Sequence, residues 1–192
     1  MPSVNPIDPQ HTGGSPVIET KLDSEEIFKG ILLHVKRDRV RLPDGNEAVR
    51  EWIDHPGAAA VVPILDDGRV IMVRQFRYGP DRTFLELPAG KFDGNGEKPE
   101  EVAVRELEEE TGYRASHLTH LGALYNAVGY SNEVIHIFLA KGLKRTKQAL
   151  DAEEFLTVEF HQLADLVDKA ARGELDDMKT VSGLLMAAAH LR

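Results

Sequence analysis

The stretch Gly90–Tyr113, GKFDGNGEKPEEVAVRELEEETGY, decides the fold. Pro99 suits the first turn of a helix, Glu100 and Glu101 complement its positive end, and Gly112 is placed to close it in the left-handed conformation. Residues three and four apart share a helix face, so Glu106, Glu109 and Glu110 stack their carboxylates within one turn. Like charges at that spacing cost roughly 0.2 to 0.5 kcal/mol per pair, and acids in the last turn also oppose the helix dipole. The cluster calls for a compensating cation, and hard oxygen donors are what Mg²⁺ or Mn²⁺ binds.

Working outward, Glu26–Val40 and Glu47–Asp54 read as two strands joined through the turn sequence Pro43-Asp44-Gly45-Asn46. This antiparallel unit has too little core to stand alone and must pack on something else. Residues 58–65 and 69–75 read as a second strand pair around Asp66-Asp67-Gly68. Phe84–Leu87 begins a strand that Pro88-Ala89-Gly90 ends. Further strands are expected over residues 118–125, 133–141 and 155–160, and helices over about 163–171 and 180–191. Strands and helices interleave without a regular βαβ repeat, which predicts a mixed sheet flanked by helices rather than a doubly wound parallel one.

At 192 residues the chain accommodates one domain and a small appendage. A formal charge of -9 and the lack of any Lys/Arg run argue against a nucleic-acid partner. With no cysteine, thiol chemistry and disulfides are excluded, in keeping with a reducing compartment. The Pro- and Gly-containing N-terminus has neither a basic start nor an apolar stretch and reads as a flexible tail over residues 1–20. No apolar run approaches the ~20 residues needed to cross a bilayer, so no membrane association and a cytoplasmic location are expected.

The spacing Glu97, seven residues, then Arg105-Glu106-Leu107, Glu109-Glu110, Gly112-Tyr113 closely resembles the signature of the Nudix hydrolases, which split a nucleoside diphosphate linked to another group. Six residues rather than the family's five separate Gly90 from Glu97, and the extra one falls in Asp93-Gly94-Asn95-Gly96, where a loop absorbs length cheaply. The stretches HPGAAAVVPI, VRQFRYG, LELPAG and DDMKTVSGLLMA resemble the ADP-ribose pyrophosphatase branch. The resemblance implies an α/β Nudix fold: a mixed β-sheet sandwiched between α-helices over residues 55–192, with a small N-terminal antiparallel β unit over 21–54 that mediates homodimerisation.

It also implies a Mg²⁺-dependent hydrolase, with Mn²⁺ as a substitute, acting on a nucleoside diphosphate sugar such as ADP-ribose or GDP-mannose. Glu106, Glu109, Glu110 and the Ala89 carbonyl are the implied metal ligands, with Glu86 within reach of the same cluster. Glu97 and Arg105 orient the ligands, Arg105 being spaced to pair with Glu101 and Glu109 one turn away on either side. Carboxylates bound to metal are poorly basic, so the general base is sought outside the helix, in the acidic segment Asp151–Phe155. Glu153 is the first choice there and Glu154 the second. Arg77 resembles the arginine that contacts the diphosphate, and Trp52, beside Arg50, resembles the aromatic residue that stacks on the nucleobase.

The chain departs from the branch at Ala127-Val128-Gly129, where ADP-ribose pyrophosphatases commonly carry Ser-Pro-Gly. Losing a proline that fixes the loop weakens strict ADP-ribose specificity. Two other readings are a nucleoside triphosphate or dinucleoside polyphosphate hydrolase, and a non-catalytic nucleotide-sugar sensor.

Overall fold

The computed structural model describes residues 17–93 and 96–192. The expected tail lies outside the described residues as far as residue 16, and the first strand already begins at Thr20. In chain order the elements are β1 Thr20–Lys29, β2 His34–Arg41, β3 Glu47–Ile53, β4 Ala58–Pro63, β5 Arg69–Arg77, β6 Arg82–Glu86, β7 Ala89–Lys91, α1 Pro99–Thr111, β8 Tyr113–Arg114, β9 His117–Tyr125, β10 Val134–Lys141, β11 Lys144–Arg145, β12 Leu156–Gln162, α2 Leu163–Ala171 and α3 Met178–His190. Among the described residues, no helix is long and apolar enough to cross a membrane.

The chain divides into two units, one reaching to His55 and including Ala127–Glu133, the other comprising Pro56–Asn126 and Val134–Arg192. The first is an antiparallel sheet in the order β1-β2-β3. The run Glu26–Val40, expected to be one strand, is broken: Lys29 pairs with His34 and the Gly30 N–H donates to the Leu33 carbonyl at 2.8 Å. The apolar run Ile31–Leu33 interrupts the alternation a strand needs and becomes the loop, with Ile31 fully exposed. The turn between β2 and β3 forms where expected, with Gly45 at φ 89°, a conformation that favours glycine. Segment 127–133 is tied to the end of β3, since the Ile53 N–H donates to the Tyr130 carbonyl at 2.8 Å and the His55 N–H to Asn132 Oδ1 at 2.7 Å.

The second unit is built on a four-stranded sheet in the order β7-β4-β10-β9. β4 and β10 are parallel while the two outer pairings are antiparallel, so the sheet is mixed. Its central strands are buried on both faces, and alternate residues supply two separate cores. Ala59, Val61, Phe138 and Ala140 pack with Val102, Ala103 and Leu107 of α1. Ala60, Val62, Ile137 and Leu139 pack on the opposite face with Leu166 of α2 and Leu184 and Ala187 of α3. The sheet is thus sandwiched between α1 and the pair α2/α3.

The hairpin expected from residues 58–65 and 69–75 is not a continuous pair. Instead of a ladder, β4 and β5 are linked by an isolated Ile64–Val70 bridge and the Leu65 N–H to Arg69 carbonyl bond at 2.8 Å, and β5 enters a second antiparallel sheet in the order β12-β5-β6. Likewise Ala89 and Gly90 do not simply end a strand; with Lys91 they form a short edge strand on β4.

Candidate active site

Helix α1 fixes the site because its two ends are specified by local chemistry. Pro99 occupies the first turn, and the Lys98 N–H donates to Glu101 Oε2 at 3.0 Å. At the far end Gly112 adopts φ 70°, ψ 31° and its N–H closes on the Glu108 carbonyl at 2.9 Å. The last turn contains no basic residue. Its carbonyls are met by the segment before the acidic loop: Gln148 Nε2 donates to the Glu110 carbonyl at 2.7 Å and the Ala149 N–H to that of Glu109 at 3.0 Å. This capping carries no sequence motif.

Opposite that turn runs β7. Its register leaves Ala89 in a non-hydrogen-bonded pair with Ala60, flanked by the Val61 N–H to Pro88 carbonyl bond, so the backbone groups of Ala89 project off the sheet edge. The Ala89 N–H donates to Glu110 Oε2 at 3.1 Å. A Cβ on Gly90 would lie 1.9 Å from Glu106 Oε1, so only glycine lets this carboxylate approach the strand. The motif glycine and its glutamate therefore fit each other across α1 and β7.

Glu110 is 3% exposed. Burial, together with the charges of Glu106 and Glu154, pushes its carboxyl well above the ordinary range. Burial also drives Glu106 up to about 7, against the opposing charge of Arg105 and with reinforcement from Glu109 and Glu154. Arg105 spans the cluster, donating to Glu106 at 2.6 Å, to Glu109 at 3.2 Å and through Nε to Glu97 Oε1 at 3.1 Å. The expected pairing with Glu109 is present; that with Glu101 is not, because Glu101 turns back to cap the helix start while Glu97 takes its place.

Glu86, at the end of β6, is 2% exposed and does not share in this cluster's hydrogen bonds. Arg77 grips it with a two-pronged contact, both bonds 2.8 Å, and Lys179 of α3 donates to the same carboxylate. Burial raises the Glu86 carboxyl, but the two cations outweigh it and hold it below the ordinary value. Lys179 also bonds Asp177 at 3.0 Å, the residue that caps the N-terminus of α3. Sequence reasoning passed over Lys179; its only signal was its place in the DDMKT stretch.

In the acidic loop Glu153 is exposed, whereas Glu154 is half-buried and is the loop acid whose charge acts on Glu106 and Glu110. Trp52 and Arg50 lie on β3, in the first unit. Lys36 Nζ stands 5.4 Å from the Trp52 ring centre, and Arg50 is paired with Glu19.

Among the described residues, no three acidic or histidine side chains converge on one point, because basic groups and backbone amides share out the carboxylates. The donor set nevertheless suits a hard divalent cation. It is all oxygen, and two of its carboxyls, Glu106 and Glu110, pay for burial near one another in a way that bound positive charge reverses.

The NUDIX domain pattern matches residues 54–182, and that of the nucleoside diphosphate sugar hydrolase N-terminal domain matches residues 19–53. The chain belongs to the Nudix hydrolase family. Among its Nudix relatives, an ADP-ribose pyrophosphatase of Bacillus subtilis (strain 168) is 43% identical, over 84% of this chain and 88% of the relative. A GDP-mannose pyrophosphatase of Cronobacter sakazakii is 32% identical over 92% and 95% of the two chains. A crystal structure of an ADP compounds hydrolase superposes with a TM-score of 0.81 at 27% identity, covering 93% of this chain and 97% of that one. This Nudix hydrolase thus shares its fold, not the motif alone, with an ADP compounds hydrolase, and most of its sequence length with relatives named for nucleotide-sugar substrates.

Proposed function

We propose that this enzyme is a Mg²⁺-dependent hydrolase of nucleoside diphosphate sugars, releasing a nucleoside monophosphate and a sugar phosphate. ADP-ribose is the proposed preferred substrate and GDP-mannose a second. The observation that carries the reading is the pair of buried carboxyls, Glu106 and Glu110, held against the β7 edge at Gly90 and Ala89. Similarity to an ADP-ribose pyrophosphatase and to a GDP-mannose pyrophosphatase supports the substrate class.

Glu106, Glu110, Glu109 and the Ala89 carbonyl would hold the ion, which when bound neutralises charge on the diphosphate oxygens and makes water a better nucleophile. Arg105 and Glu97 orient the helix acids. Glu154 is the proposed general base, with Glu153 the second candidate. Glu154 faces the cluster electrostatically, is anchored by its N–H to the Asp151 carbonyl at 3.0 Å, and follows a segment fixed on the end of α1. Arg77 presents its guanidinium to the diphosphate. Glu86 serves Arg77 rather than the metal, because both its oxygens already accept from cations. Trp52 keeps the nucleobase-stacking role that the family resemblance implies, and Arg50, two residues before it on β3, is proposed as a further substrate-binding residue.

The enzyme is further proposed to work as a homodimer joined through the N-terminal unit. The cysteine-free chain suits the reducing cytoplasm.

A panel of ADP-ribose, GDP-mannose, nucleoside triphosphates and dinucleoside polyphosphates, assayed with Mg²⁺ and with Mn²⁺ and read by product identity, tests the reading. AMP with ribose 5-phosphate from ADP-ribose supports it. Pyrophosphate release from a triphosphate as the dominant reaction would replace it, and tight ADP-ribose binding without turnover would mark a sensor.

A further inference from the structure

Helix α3 starts with Asp177-Met178-Lys179-Thr180, and this tetrapeptide is stitched to the end of β6 by more bonds than a helix cap needs. The Leu87 N–H donates to Thr180 Oγ1 at 2.9 Å, and Thr180 Oγ1 donates to Asp177 Oδ2 at 2.5 Å. Lys179 lies across this junction, its side chain 14% exposed, bonded to both Asp177 and Glu86. Thr180 alone would fix the backbone here. A largely enclosed ammonium needs a separate explanation, because an apolar side chain would fill the same space without the cost of partly desolvating a charge.

The explanation lies in the charge balance around Arg77. Arg77 and Lys179 share bonds with Glu86 and Asp177, and Glu110 also acts on Arg77, so the carboxyls around it are not outnumbered by cations. Without Lys179 the group would carry more net negative charge around the enclosed Glu86 carboxylate, which would have only Arg77 to satisfy it. A guanidinium clamped by an unshared carboxylate gives up its hydrogen bonds less readily, and an incoming diphosphate would meet repulsion. We propose that Lys179 is a positioning residue for the diphosphate arginine: by sharing the carboxylate of Glu86 it frees Arg77 to turn its guanidinium to the substrate. This rests on the hydrolase reading above for its substrate but not for its geometry.

Lys179→Met is the appropriate variant, because Lys179 lines a cavity of about 170 Å³ with Leu124, Ile135, Ile137 and Met178, and the unbranched methionine side chain is of similar length. Lys179→Met should raise KM for ADP-ribose about tenfold with kcat changed less than threefold, and Lys179→Arg should restore KM to within about twofold of the native value. In a Glu86→Gln background the same Lys179→Met change should cost less than about twofold, since there is no carboxylate left to share. A second readout needs no substrate: the Arg77 Nε–H resonance, assigned by its loss in Arg77→Lys, should exchange with water several-fold more slowly in Lys179→Met and be unaltered in Lys179→Arg. An unchanged exchange rate in Lys179→Met, or equal KM effects in both backgrounds, would overturn the proposal and leave Lys179 as helix anchoring alone. If the native enzyme turns over no nucleotide sugar, the substrate reading fails while the resonance still decides the role of Lys179.

Discussion

At the scale of the residue, the candidate site is an acid cluster that the fold buries with Arg105 and a backbone amide to offset it only in part. Glu106 and Glu110 have folded-state pKa values raised by burial, Glu106 from 4.5 to about 7. A carboxyl that is easier to protonate in the folded state stabilises the fold fully below its unfolded pKa, and that contribution is lost as pH rises through the folded value. Metal-free protein in EDTA should therefore lose stability between about pH 4.5 and about pH 7, by about 3 kcal/mol for the Glu106 shift alone. Added Mg²⁺ should raise the unfolding temperature more at about pH 8 than at about pH 5, which calorimetric scans at the two pH values would check. Glu110→Gln keeps the shape, removes a charge, and leaves an oxygen for the Ala89 N–H. It should match or exceed the native protein in EDTA stability at about pH 8, yet turn over ADP-ribose slower by two or more orders of magnitude. A stable variant with native kcat would remove Glu110 from the mechanism.

At the scale of the element, α1 and the segments on its C-terminal end act together. Gly112 holds a left-handed conformation, and a Cβ there would lie 2.9 Å from the Gln148 backbone nitrogen. Gly112→Ala is expected to destabilise the protein by more than about 1 kcal/mol, the usual cost of the missing glycine, because Gln148 must also move. Since 146–149 leads into the loop that bears Glu154, kcat should fall along with the denaturation midpoint. Urea titration and steady-state kinetics on the same preparation test the coupling, and a loss of stability with native kcat would argue against it. Almost all of α1 was legible in the sequence, because proline, glycine and charge placement act within one turn of the residues that carry them. The cap from Gln148 and Ala149 was not, since its partners are backbone carbonyls that any sequence offers. The edge strand at Ala89–Lys91 escaped for a related reason: three residues beside a proline have no period to read, and only pairing with β4 makes them a strand. The different exposure of Glu153 and Glu154 had no sequence signal for the same reason, because burial of a loop acid is set by what the loop packs on.

At the scale of the whole molecule, the mixed sheet was legible as a class but not in its order. The parallel pairing of β4 with β10 joins segments far apart in sequence, and nothing in Asp66-Asp67-Gly68 announces that β4 and β5 part after one bridge. The N-terminal unit poses a different physical problem. Among the described residues, Val40 is its only buried apolar side chain, while Ile27, Phe28, Ile31, Leu32 and Val49 are exposed. Three strands bearing so little buried area fall short of the core an isolated sheet requires. Exposed pairs such as Arg37–Glu51 and Arg39–Asp23 do not make up the difference, because solvent screens them. Apolar side chains left exposed in this way are covered by association, and a twofold interface presents the same surface from both copies. Sedimentation velocity at micromolar concentration should therefore give a dimer. Phe28→Asp and Val49→Asp place charges on exposed apolar positions, so together they should shift the protein to monomer. A native monomer at that concentration, or a double variant that stays dimeric, would mean that this surface is covered by something other than a second copy.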